Sequence, residues 1–236
     1  MKILSKNTSD YISSTNVSYI KSIFNTLSCN FLLTDCMAEW EQQLSDAEIV
    51  DLDSLLHEMR RIKSPIELQF MQHANDISIA AHYSIMEYCK PGVNEAELEA
   101  LFYYECMRRG GRFQAYDPII ASGNAATILH YLDNNGVCRD GDLLLVDAGS
   151  KYHYYSSDIT RTFPVNGRFT SRQADLYNVV LEANKAVIAM VRPGITLGDM
   201  QQETIKLLTE GLCALGLLQG EVDSLIEQKA YVPFYM

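Results

Sequence analysis

The chain has 236 residues, 47% hydrophobic and 21% charged, which is enough apolar content for a packed core and argues against wholesale disorder. Lysine and arginine total 19 against 30 acidic residues, a formal charge of −11, so neither a nucleic-acid backbone nor an anionic membrane is the expected partner. No apolar run approaches the ~18 residues of a membrane span, and Met1-Lys2-Ile3-Leu4-Ser5-Lys6-Asn7 opens no secretory signal, so the expected compartment is the cytoplasm.

Residues 1–57 mix a Ser/Asn/Thr-rich start with short apolar runs such as Phe31-Leu32-Leu33, room for a strand and a helix or two. The first clear start signal is Ser64-Pro65-Ile66-Glu67: a capping hydroxyl, proline at the first helical position and glutamate three residues after the cap. Leu68, Met71, Ala74, Ile77, Ala81 and Ile85 follow at helical spacing, and Pro91-Gly92 stops the helix. Asn94-Glu95-Ala96-Glu97 opens a second helix that runs to Gly110-Gly111. Residues 118–123, 143–147 and 159–163 then read as strands broken by glycine and asparagine. Thr170-Ser171-Arg172-Gln173 opens another helix ending at Pro193-Gly194, and a further one runs from about Gly198 to Gly216. Helix, Pro-Gly, helix thus occurs twice. The chain stops inside an apolar run, Tyr231 to Met236, and the expectation is that it is cut before the second set of strands. The six cysteines form no C-x-x-C pair and are expected to be reduced packing residues.

The segment richest in chemistry is Leu143-Leu144-Leu145-Val146-Asp147-Ala148-Gly149, followed by Ser157-Asp158-Ile159-Thr160-Arg161-Thr162-Phe163. A carboxylate ending an apolar strand is half-buried, and an unpaired buried charge is costly. A hairpin centred between Tyr152 and His153 would set Asp147 opposite Asp158, and two such carboxylates repel unless a cation or a shared proton lies between them. Gly149-Ser150 is the competing turn signal and would spoil that register. The bland alternative has Asp147 capping a turn and Asp158 pairing with Arg161. His130 follows an apolar segment, and a lone histidine in such a setting is more often a satisfied structural residue than a site residue. Phosphate-loop, dinucleotide and G-x-S-x-G motifs are absent.

His130-Tyr131, Asp140-Gly141-Asp142 leading into Val146-Asp147-Ala148-Gly149, and Ser157-Asp158-Ile159-Thr160-Arg161-Thr162-Phe163-Pro164 together resemble the Xaa-Pro aminopeptidases (aminopeptidase P) of the pita-bread superfamily, peptidase family M24. The resemblance runs from about Arg60, through Pro91-Gly92 and Pro193-Gly194, to Pro233-Phe234-Tyr235-Met236. It implies an α/β pita-bread fold with helices outside a curved antiparallel sheet, incomplete at its C-terminal side. Residues 1–57 would be the remnant of an N-terminal domain, and 58–236 a partial catalytic domain. It also implies two Mn²⁺ ions held by two aspartates, one histidine and two glutamates, acting on peptides with proline at the second position, in a protein that is homo-oligomeric when complete. Asp147 and Asp158 match the two metal-binding aspartates, and His130 matches a catalytic histidine that contacts substrate. The family's H-G-x-x-H-x-x-G motif would begin just after Met236, so the other ligands are missing. The expectation is an inactive piece of a two-metal exopeptidase. The alternative is a non-catalytic pita-bread module that binds peptides or proteins.

Overall fold

The computed structural model describes residues 31–32, 50–51 and 53–235, with side chains from 56 onward. Most of the 1–57 segment read as an N-terminal remnant therefore lies outside the described residues. The chain divides into two units, Met1–Gln69 and Phe70–Met236. In the first, β1 (Phe31–Leu32) pairs in parallel with β2 (Val50–Asp51), and α1 (Asp53–Arg61) carries an exposed Arg61–Glu58 ion pair at 3.0 Å.

Helix α2 (Pro65–Tyr88) starts where the capping signal places it: Glu67 N–H donates to Ser64 Oγ at 3.4 Å, and Ser64 N–H donates back to the Glu67 carboxylate at 2.6 Å. Its buried stripe is Ala74, Ile77, Ser78, Ala81, His82 and Ile85. Helix α3 (Glu95–Arg108) opens with the Asn94/Glu97 capping box and buries Leu98, Phe102 and Cys106. Between them Gly92 turns the chain at φ 95°, a conformation glycine adopts freely. The same device recurs 102 residues on. Helices α4 (Ser171–Met190) and α5 (Leu197–Ala214) are joined through Gly194, also at φ 95°, and α5 opens with the Thr196/Asp199 capping box. A short helix, α6 (Val222–Glu227), packs on α5.

Two three-stranded antiparallel sheets are built from the same three stretches of chain. One holds β3 (Phe113–Gln114), β6 (Ser150–Tyr152) and β7 (Tyr155–Ser156), in the order β3-β6-β7. The other holds β4 (Ile119–Ser122), β5 (Leu143–Ala148) and β8 (Ile159–Pro164), in the order β4-β5-β8. Leu144, Val146 and Ala148 alternate along β5 toward Ile77, Ile85, Leu98 and Phe102, so α2 and α3 cover one face of the larger sheet. Leu143, Leu145 and Asp147 take the opposite face.

The hairpin turns one residue later than the centre favoured by the sequence. Tyr152 pairs with Tyr155 and Asp147 with Thr160, so the turn is His153-Tyr154, both at positive φ (46° and 69°). Such angles disfavour residues other than glycine. Aromatic packing offsets the cost: His153 stacks on Phe70 (4.8 Å, 17°), and Tyr152 meets His73 edge-on at 4.3 Å. Gly149-Ser150 is no turn; the chain passes straight through it from β5 into β6.

The outer edge of β4 is closed by side chains. Asn134 accepts from Ile120 N–H (2.9 Å) and donates to the Pro118 carbonyl (2.8 Å). Glu95, fully buried at the start of α3, accepts from Ser122 N–H and Oγ (both 2.7 Å), Tyr131 OH (2.9 Å) and Gly136 N–H (2.8 Å). Four donors on one carboxylate satisfy a charge that would otherwise be costly to bury.

Candidate functional site

All three stretches change sheets at one level. The first does so between β3 and β4 (115–118), the second at Gly149 and the third at 157–158. Polar side chains collect at that break. Ala115 N–H donates to the Gly149 carbonyl at 2.8 Å, which pins the following residue, Tyr116, over the gap. Gly149 has no room for a side chain, since a Cβ there would lie 1.9 Å from the Ser157 carbonyl oxygen. Ser78 reaches across from α2: its Oγ is 2.7 Å from Ser157 Oγ and accepts from Ser150 N–H at 2.8 Å. Ser157, and with it Asp158, is thereby tied to the helix layer.

The observed register sets Asp147 opposite Thr160, two residues beyond Asp158. Moving a hairpin's centre by one residue changes its register by two, which preserves the face each side chain takes. Asp147 and Asp158 are thus diagonal neighbours on one face rather than direct partners. They still converge. The Tyr116 hydroxyl lies 2.6 Å from Asp147 Oδ1 and 2.9 Å from Asp158 Oδ1, its one proton shared between two carboxylates. Burial first, then these two acceptors, push the phenol well above the usual tyrosine range. Asp147 is half-buried and Asp158 exposed.

The bland alternatives fail for both aspartates. Asp147 lies within a strand, and Arg161 donates to the Thr160 carbonyl at 2.8 Å, with no ion pair to Asp158 among the described residues. His130 stands exposed at φ 52° after the 3-10 turn at Gly123–Thr127, and among the described residues no hydrogen bond or ion pair joins it to the two aspartates. Its neighbour Tyr131 is anchored on Glu95. His82, buried on α2, places Nε2 3.2 Å from the Ala148 carbonyl beside the site, and burial pulls its pKa below the ordinary 6.5. Sequence reasoning missed Tyr116, Ser78 and His82. No spacing rule selects Tyr116 until the pairing of Ile119 with Asp147 is known.

The donor set is hard oxygen, the kind Mg²⁺ or Mn²⁺ accepts. It suits such a cation in kind but not in number, for the described residues hold no group of three or more His, Cys, Asp or Glu side chains able to bind a metal.

The sequence profile of Metallopeptidase family M24 matches residues 69–234, the whole stretch that builds this arrangement. The chain belongs to metallopeptidase family M24. Within that family it is 43% identical, over 80% of its length, to the Xaa-Pro aminopeptidase of Escherichia coli. The solved structure of aminopeptidase PepP from Pseudomonas aeruginosa superposes with a TM-score of 0.82 at 40% identity, covering 88% of this chain and 51% of that one. A zinc-substituted E. coli aminopeptidase P in complex with product gives 0.78 at 43% identity, covering 80% and 43%. The M24 chain therefore has the pita-bread fold of these aminopeptidases. It spans 43% of the length of the E. coli protein.

Proposed function

We propose that this M24 chain carries part of the catalytic centre of an Xaa-Pro aminopeptidase, which releases the N-terminal residue from peptides whose second residue is proline. The observation that carries the reading is the convergence of Asp147 and Asp158 on the single Tyr116 hydroxyl. Two carboxylates so close are stable side by side only with a proton donor or a cation between them. In this reading residues 58–236 belong to the catalytic domain, the protein is cytoplasmic, and the complete enzyme is a homo-oligomer. The relatives named above support the substrate class.

Asp147 and Asp158 would hold a share of a pair of divalent cations, Mn²⁺ in our reading. Bound metal supplies a nucleophilic hydroxide at neutral pH. The chain's own residues set the geometry. Ser78 and Ser157 lock the hairpin crossing, Tyr116 holds the carboxylates together, and His130 is the group presented from the neighbouring loop toward substrate.

Two carboxylates without further ligands bind such cations weakly. Calorimetric titration of the 236-residue chain with Mn²⁺ is expected to show weak binding that Asp158→Asn removes, and no cleavage of an Xaa-Pro peptide. Two tight sites, or weak binding untouched by Asp158→Asn, would overturn the assignment of these ligands.

A further inference from the structure

Away from the aspartate pair, one buried carboxylate gathers both ends of the loop that carries His130. Glu95, the first residue of α3, is fully buried, and its donors divide evenly between its two oxygens. Oε1 accepts from Ser122 N–H and Oγ, both at 2.7 Å, at the end of β4 where the loop leaves the sheet. Oε2 accepts from the Tyr131 hydroxyl at 2.9 Å and from Gly136 N–H at 2.8 Å, where the loop returns. The main chain adds a further tie, Glu95 N–H donating to the Gly136 carbonyl at 2.8 Å. The fit is close, since a Cβ on Gly136 would lie 2.9 Å from Oε1. Among the described residues no cation pairs with Glu95, so these donors alone hold its charge.

His130 lies between the ties. On one side Ile128 N–H closes on the Ala125 carbonyl at 3.0 Å. On the other, Tyr131 is the very next side chain, and Asn134 follows with both ends of its amide engaged on β4 and Pro118. His130 takes φ 52° and Asn134 φ 43°. Positive φ is uncommon outside glycine and persists where the surroundings over-determine it. No hydrogen bond or ion pair among the described residues holds the exposed imidazole, so its placement is inherited from the backbone on either side.

We propose that Glu95 is a positioning residue: through the Tyr131 hydroxyl it fixes the backbone that presents His130. The proposal rests on the reading of His130 as the group that faces substrate. A carboxylate that only stopped the edge of β4 would need Ser122 alone, whereas here the second oxygen is committed to the loop. Hydrogen bonds to an ionised acceptor are the stronger kind. The loop needs them, because Ile128, Leu129 and Leu132 are 57, 61 and 53% exposed and bury too little apolar surface to order it.

NMR of the isotopically labelled full chain, with neither metal nor peptide added, is the test. Metal binding can therefore fail in the Mn²⁺ titration while His130 is still held, and the reverse. In the unaltered chain the His130 amide is expected to be as ordered as those of β5 by ¹⁵N relaxation, with the Cα and Hα shifts of a fixed positive φ. Tyr131→Phe removes only the hydroxyl. His130 is then expected to lose that order and its shifts to move to the averaged values of an unstructured residue. Ser122, held by the other oxygen, and Val146 in β5 are expected to keep theirs. Glu95→Gln brings N–H donors of its own among the donors it must face and is expected to release His130 at least as fully. The β5 signals check the fold of each variant; where one variant loses them, the other and the unaltered chain decide. A mobile His130 in the unaltered chain, or one whose order and shifts survive Tyr131→Phe, would overturn the proposal and leave Glu95 a stop on the sheet edge.

Discussion

One phenolic proton lies between two carboxylates at Tyr116, so a single atom group decides how the aspartates coexist. Tyr116→Phe keeps the ring and removes that proton. Hydrogen bonds to charged groups contribute about 1.5–3 kcal/mol; with Asp158 exposed, a loss of about 1–2 kcal/mol is expected in urea unfolding. An unchanged midpoint would mean the phenol is not shared. His82 acts in another pH window. Burial lowers its pKa from 6.5, so below that value the unfolded chain binds a proton that the folded one refuses. Stability is therefore fully present above about pH 6.5 and falls as pH drops through that window toward the lowered value. Urea midpoints at several pH values should show this slope, and His82→Gln should flatten it. A slope that survives the substitution would assign it to other groups.

At the scale of elements, the hairpin crossing is the tightest joint. Gly149→Ala would place a methyl 1.9 Å from the Ser157 carbonyl oxygen, so β5 and β8 must separate where the aspartates meet. A loss of at least ~3 kcal/mol is expected from such backbone overpacking, read by chemical denaturation. A change below ~1 kcal/mol would show that the joint yields. Three helix starts were legible beforehand because caps are local chemistry: Ser64, Asn94 and Thr170 each satisfy amides within three residues, whereas the Thr196 cap, one residue before the helix at Leu197, went unread and that start was placed at about Gly198. Strands β4, β5 and β8 were legible from their apolar runs. The turn was not, since a His-Tyr pair at positive φ is held by Phe70 and His73, far away in sequence. Asp147 and Asp158 stood out as charges ending and beginning apolar strands. Tyr116 and Ser78 reach the site only through tertiary pairing, and local pattern carries no trace of that.

Across the whole molecule, large apolar side chains remain on the surface. Leu197 is 83% exposed, Ile188 and Val191 63% each, and Tyr154 at the hairpin tip 96%. Along α5 Thr209 and Leu212 are fully buried, while Met200, Ile205 and Leu208, and Leu215 just past its end, are half-covered. Patches of this kind bind hydrophobic dyes and drive association. The chain is expected to bind ANS and to sediment as more than a monomer at micromolar concentration. A monomer without ANS fluorescence would show that these side chains are too scattered to act together.

The two borders of the larger sheet differ in kind. Along β4, Asn134 and Glu95 occupy the amides of Ile120 and Ser122. Along β8, from Ile159 to Phe163, no main-chain group among the described residues pairs with the outer side. A sheet with both borders free can extend without limit, copy upon copy, into fibres. This one has a growing end and a stopped end. Two copies joined β8 to β8 about a twofold axis would exhaust both growing ends at once, giving a continuous six-stranded sheet flanked by stoppers. Any sheet-mediated assembly through β8 would therefore halt at the pair, with Asn134 and Glu95 setting that limit.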